Sequence, residues 1–247
     1  MNPTIEIITG YLARLLPALI LGVCMLILSR RNPRQRIVIY LAMFVLLRDA
    51  MTPLGLWSFG DQGIFWIRLH SAPMFLILFG IASLGISLAL FFFDQANRPL
   101  IQWSRGKIGM GTLWGLGGVL MIVGPLMVSY RHTAIELRGG IVPIQLLPAT
   151  FVFALMGNLF EETLFRGYVY GILAQQMAPI KAGLSSGIVF VFCHIFLATT
   201  VTGIGYPLLA FTLWEGVITG IIGSKWGVLP STLAHGGAIF LLSSGLI

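Results

Sequence analysis

Long apolar runs, separated by short polar, glycine- or proline-containing breaks, make up most of this chain. A helix rises 1.5 Å per residue, so crossing a hydrocarbon core of about 30 Å takes about 20 residues. The runs at residues 7–28, 37–57, 64–93, 108–129, 141–176, 184–201, 205–223 and 228–246 meet or approach that length. The pattern predicts an all-α, polytopic membrane helix bundle of about eight transmembrane helices. As a single helix the fifth run would be roughly 50 Å long and must tilt, kink or project from the bilayer. In the fourth, Gly111 and Gly115 give the small-xxx-small spacing that lets helix backbones approach. No long polar insert or repeat interrupts the series, which predicts one transmembrane domain over 1–247. Its residues 1–140 are N-terminal helices, and 141–247 carry the polar motifs described below.

Composition agrees with this. Hydrophobic residues make up 57% of the chain and charged residues 9%, outside the range of soluble domains. The formal charge of +7 therefore has to be placed before it is interpreted. Within the apolar runs, Arg14, Arg48, Arg68 and Arg166 balance Asp49, Glu161, Glu162 and Glu215, so the excess lies in loops and ends. Arg30, Arg31, Arg34 and Arg36 crowd the first turn, and Arg98, Arg105 and Lys107 the third; the second has no Lys or Arg. By the positive-inside rule the odd-numbered turns face the cytoplasm and both chain ends lie outside. Arg131 and Arg138, in loop 130–140, are the exceptions. The basic excess thus reads as topology and argues against a nucleic-acid surface. The first run lacks a basic n-region and a small-residue cleavage site, which makes it a membrane helix and not a removed signal. Cys24 and Cys193 both fall in predicted spans and are expected to be free thiols.

Charge buried in hydrocarbon is costly and needs a local reason. The densest case is Leu159-Phe160-Glu161-Glu162-Thr163-Leu164-Phe165-Arg166-Gly167. At about 100° per residue, Glu162 and Arg166 share a helix face and can pair, while Glu161 points about 100° away and has no local partner. Two intramembrane histidines follow on separate predicted helices, His194 in Phe190-Val-Phe-Cys-His194 and His235 in Leu233-Ala-His235-Gly-Gly. Three helices can bring such groups together inside a bundle. Glu215 is expected to pair with a buried arginine or to border such a site. His70 and His132 sit near predicted helix ends and are assigned no chemistry.

This ordered set resembles the CAAX-protease and bacteriocin-processing family of intramembrane proteases, whose motifs are Glu-Glu-x-x-x-Arg, Phe-x-x-x-His and a later His-x-x-x-Asn. Glu161-Glu162-Thr-Leu-Phe-Arg166 matches the first and Phe190-x-x-x-His194 the second. The glycine-rich run from Gly216 to Gly223, then Leu229-Pro230 and His235, resembles the approach to the third. The likeness covers residues 141–247, which it marks as a catalytic core. It implies an integral, multi-pass protein of the bacterial inner (plasma) membrane that hydrolyses a peptide bond of a membrane-associated polypeptide. Glu161 would take a proton from water, His194 would position that water or share the base role, and His235 would donate to the oxyanion. Glu162 and Arg166 would hold the helix and the charge balance. One carboxylate and two imidazoles, Glu161, His194 and His235, are also a zinc-type ligand set, so side-chain-activated and zinc-bound water stand as alternatives. The partners implied are membrane lipid and the polypeptide substrate.

The chain departs from the family at one position: Ile239 stands where the third motif has its asparagine. Losing one oxyanion donor costs roughly two to three orders of magnitude in rate. Asn158, one turn before Glu161, is the candidate replacement. Ile239 also favours a different class of function, a non-catalytic relative acting as an immunity or scaffold protein. A proton-relay transporter built on Glu161, Glu215 and the histidines ranks last, because no hydropathy repeat joins the two halves.

Overall fold

A computed structural model describes residues 3–60 and 65–247. Helix takes up 77% of the chain, in the order α1 (Pro3–Leu28), α2 (Pro33–Met51), α3 (Pro73–Phe93), α4 (Ile108–Ser129), α5 (Leu147–Glu162), α6 (Tyr170–Leu173), α7 (Pro179–Phe192), α8 (Tyr206–Trp226) and α9 (Val228–Ser244). A π-helical turn, Thr163–Val169, joins α5 to α6, so the two are one rod and the described residues form eight. Seven rods are long and apolar enough to cross a membrane; the eighth, α9, is an apolar helix of 17 residues. The protein is an all-α, multi-pass membrane bundle.

Proline sets several of the boundaries. Pro33, Pro73 and Pro179 open α2, α3 and α7, where a missing N–H costs nothing and φ is already helical. Asn32 completes the start of α2 by accepting from the Gln35 amide at 3.2 Å. Pro73 also corrects the third span. The residue before a proline is driven out of the helical region, and Ala72 is extended at φ −87°, ψ 108°. The helix therefore does not reach back to residue 64, which itself lies outside the described residues. The segment before it forms an antiparallel hairpin of β1 (Trp57–Phe59) and β2 (Ile67–Leu69), with Trp57 opposite Leu69. Arg68 is thus a hairpin residue and not an intramembrane one. Its guanidinium donates to the carbonyls of Ile67 and Leu242 at 2.7 Å and of Arg138 and Gly140 at 2.6 Å. One arginine so ties the hairpin to loop 130–140 and to the end of α9.

Among the rods, glycine decides the closest contacts. Gly111, Gly115 and Gly118 turn one face of α4 onto α9, and a Cβ on Gly115 would lie 2.8 Å from the Pro230 carbonyl oxygen. Helices α7 and α8 meet at Gly183 against Gly220 and at Gly187 against Gly216, where a Cβ on Gly187 would lie 2.5 Å from the Gly216 oxygen. Helix α1 stands at the edge, with Leu12, Leu16 and Leu28 exposed as befits a lipid-facing surface. Cys24 and Cys193 are free.

Gly187→Ala should therefore lower the resistance to thermal or SDS-induced unfolding in micelles by about 1–3 kcal/mol through overpacking. Gly157→Ala, on α5 with no atom within 4 Å of the added methyl, should match wild type or exceed it. Equal effects of the two would remove the close α7–α8 approach as a determinant of stability.

Candidate active site

The polar residues singled out in the sequence come from five segments. Helix α5 carries Glu161 and Glu162 at its end, the π turn Arg166, the end of α7 His194, and α9 His235. Helix α8 adds Glu215 and Thr219.

Glu162 is the hub. Its Oε2 lies 3.2 Å from Arg166 Nε, so the pairing expected from the i, i+4 spacing is present. The same oxygen accepts from Ser231 Oγ at 2.7 Å, while Oε1 lies 2.9 Å from His235 Nδ1. Arg166 donates from Nη2 to the Gly216 carbonyl at 3.1 Å and to Thr219 Oγ1, and its guanidinium lies 4.9 Å from the centre of the Phe190 ring. Glu162 is fully buried and Arg166 almost so. A Cβ on Gly223 would meet the Arg166 side chain at 2.7 Å, so glycine at that position makes room for the guanidinium.

His235 faces a second carboxylate across its ring. Its Nε2 lies 3.3 Å from Glu215 Oε2. A ring with a carboxylate at each nitrogen is placed to carry a proton on both, and in that state Glu162, Glu215, Arg166 and His235 would balance in charge inside the bundle. Of the two expectations for Glu215, the structure bears out the second: it borders the site and faces a histidine, not an arginine. His235 Nε2, the atom left to serve an oxyanion, stands beside that carboxylate.

His194 is held differently. At the end of α7 the Cys193 amide bonds back to Val189 and the His194 amide to Val191, so Phe190 O loses its i+4 amide partner. The His194 ring takes that vacancy, with Nδ1 2.7 Å from Phe190 O. Such terminal carbonyls need a donor, which fixes the proton on Nδ1 and leaves Nε2 as an acceptor. Phe190 lies between the two imidazoles, 4.3 Å from the His194 ring centre and 5.6 Å from that of His235. The Phe-x-x-x-His spacing thus does two jobs, providing both the carbonyl that orients His194 and the ring that separates it from His235.

Glu161 is the exception within the cluster. It is half-buried, makes no hydrogen bond or ion pair among the described residues, and feels the charges of His235, Arg48 and Arg166. Asn158, the candidate replacement donor, is turned away: its Nδ2 donates to Ala154 O of its own helix at 2.6 Å. Among the described residues no three His, Cys, Asp or Glu side chains meet as a metal site; the Nδ1 atoms of His194 and His235 are held by the Phe190 carbonyl and by Glu162.

Sequence reasoning missed Ser231 and Thr219. Hydroxyls at these positions carry no signal in a span, since a membrane helix satisfies Ser and Thr on its own carbonyls; only the approach of α8 and α9 to α5 gives them a role.

These features define a multi-pass membrane protein with an acid–imidazole cluster buried among its C-terminal helices. Residues 143–241 match the family of type II CAAX prenyl endopeptidase Rce1-like proteins. That match is consistent with the CAAX-protease and bacteriocin-processing family, a protease family, which the motifs resemble. The match leaves out the first four helices. Neither a curated protein nor a solved structure matches the chain.

Removing the hub should be far costlier than removing its neighbour. Glu162→Ala leaves the buried Arg166 without its counter-charge and should cost about 3–5 kcal/mol of stability, whereas Glu161→Gln should change it by less than about 1 kcal/mol. SDS-induced unfolding in bicelles compares them directly, and equal losses would mean that Glu161 has a structural partner.

Proposed function

We propose that this protein is an intramembrane endopeptidase in which Glu161 and His194 activate water against a peptide bond of a membrane-associated polypeptide. The observation that carries this reading is the division of labour among the buried polar groups. Glu162, Arg166, His235 and Glu215 lie within ion-pair distance of one another, while the Glu161 carboxylate and His194 Nε2 have no charged or hydrogen-bonding partner among the described residues. A carboxylate and an imidazole lone pair free of protein contacts are what a general base and a water-holding acceptor require.

In the reaction, Glu161 takes one proton from water as the oxygen bonds to the scissile carbonyl carbon. His194 Nε2 accepts from the other water hydrogen and so aims the oxygen. When the tetrahedral intermediate collapses, the C–N bond breaks and Glu161 returns its proton to the leaving amine, giving a carboxylic acid and an amine from peptide and water. Glu162 and Arg166 act at one remove, holding the helix on which Glu161 sits. The match to CAAX prenyl endopeptidases makes a prenylated C-terminal tail the substrate class to try first.

A second reading has its own support. Ile239 in place of the family asparagine and the two carboxylates flanking His235 suit a relative that binds peptides without cutting them. The two readings separate on one measurement. In proteoliposomes with a farnesylated, internally quenched peptide ending in a CAAX sequence, Glu161→Gln and His194→Ala should each slow cleavage by about 10²- to 10⁴-fold. Cleavage at the wild-type rate by Glu161→Gln removes that residue as the base; no cleavage by the wild-type protein favours the binding role.

A further inference from the structure

The oxyanion of a tetrahedral intermediate needs a donor. Asn158 is turned to its own helix, position 239 is isoleucine, His235 stands between two carboxylates, and Arg166, whose Nη1 is also without a partner, is paired with Glu162 where both side chains are fully buried. A residue outside the matched segment answers this. Arg48, on α2, is 3% exposed and reaches across to the end of α7, where its Nη2 donates to the carbonyl of Cys193, the residue before His194, at 2.7 Å. Its Nε and Nη2 lie 2.8 and 2.7 Å from Asp49 Oδ1. These contacts account for two of its three nitrogens. The third, Nη1, is buried with no hydrogen-bond partner.

A buried guanidinium N–H without an acceptor is costly, so its position calls for an explanation. The Arg48 charge acts on both Glu161 and His194. Phe44, stacked under the guanidinium at 4.8 Å, also lies 6.1 Å from the His194 ring and 6.2 Å from that of Phe160, the residue before Glu161. Depth agrees as well. Arg48 is 15 residues past Pro33 and Glu161 is 12 residues before Leu173, roughly 22 and 18 Å from the same membrane face along their rods.

We propose that Arg48 is a catalytic residue, its Nη1 donating to the scissile carbonyl oxygen as that oxygen gains negative charge. The guanidinium keeps its proton throughout; it supplies a charge-assisted hydrogen bond that strengthens as the C=O bond becomes C–O⁻ and relaxes when the carbonyl re-forms. Asp49 holds the fork in place through Nε and Nη2 and leaves Nη1 to the substrate. This assignment rests on the peptidase reading, and it gives α2 a share in a site whose motifs all lie beyond residue 140.

Deleting the side chain outright would strand Asp49, so the test uses Arg48→Lys, which keeps the charge, and the neutral pair Arg48→Gln with Asp49→Asn, both checked for wild-type thermal unfolding. Three quantities are measured in proteoliposomes: kcat and KM for the farnesylated quenched peptide, affinity for the same peptide with a phosphinate at the scissile bond, and affinity for the uncleaved peptide in a Glu161→Gln background. Both variants should lose about 10²- to 10³-fold in kcat with KM within about threefold. Phosphinate affinity should fall with kcat while affinity for the uncleaved peptide holds, because only the tetrahedral oxyanion mimic uses the missing donor. Unchanged kcat and phosphinate binding would overturn the role of Arg48 and leave the peptidase reading standing; so would a parallel loss of both affinities, which is the mark of a structural residue. A wild-type protein that neither cleaves the peptide nor binds the phosphinate would overturn both.

Discussion

A charge inside a bilayer has no water to turn to, so it must meet its counter-charge on another part of the protein. In this chain that requirement falls on Glu162. It touches Arg166 one helical turn away, Ser231 and His235 on α9, and through His235 it is linked to Glu215 on α8. Four helical segments are thereby held at one point by groups that would each be unfavourable alone. The arrangement is specific because each of these groups has an oppositely charged or chargeable partner within 3.3 Å. Losing one member does not loosen a contact so much as leave an uncompensated charge in hydrocarbon.

Such a cluster can form only if backbones come close enough for short side chains to span the gap. Glycine makes that approach at three interfaces: α4 on α9, α7 on α8, and Gly236 against the Ala154 carbonyl of α5. Lipid offers no hydrophobic drive between helices, so close van der Waals contact and interhelical hydrogen bonds carry the association. The small residues and the buried ions are therefore parts of one design: the first bring the rods together, and the second fix their register.

Beside this ionic network stand groups that take no part in it. The Glu161 carboxylate, His194 Nε2 and Arg48 Nη1 each lack a hydrogen-bond partner among the described residues, and Arg48 and Phe44 of α2 reach the end of α7 at Cys193 and His194. Neighbouring residues illustrate the contrast. Glu161 and Glu162 are adjacent in sequence, yet one lies at the centre of the ionic network and the other has no partner, because a step of about 100° turns them to different sides of the rod.

Much of this was legible in the sequence. Hydropathy and run length determined the all-α membrane bundle, since a backbone in hydrocarbon has few ways to satisfy itself. The helical period paired Glu162 with Arg166 and isolated Glu161, because both relations are local. Motif order pointed to the three segments that carry the site. What the sequence could not carry was anything set by the approach of distant segments. The hairpin before α3 hides in an apolar run that reads as helix until Pro73 is weighed. His235 looked free to donate until α8 brought Glu215 to its far nitrogen, and Arg48 looked like one more charge needing a partner until its fork was seen divided between Asp49 and Cys193. Periodicity reports on neighbours within a turn or two, whereas which nitrogen of a ring or guanidinium remains unclaimed is decided only when the helices have packed.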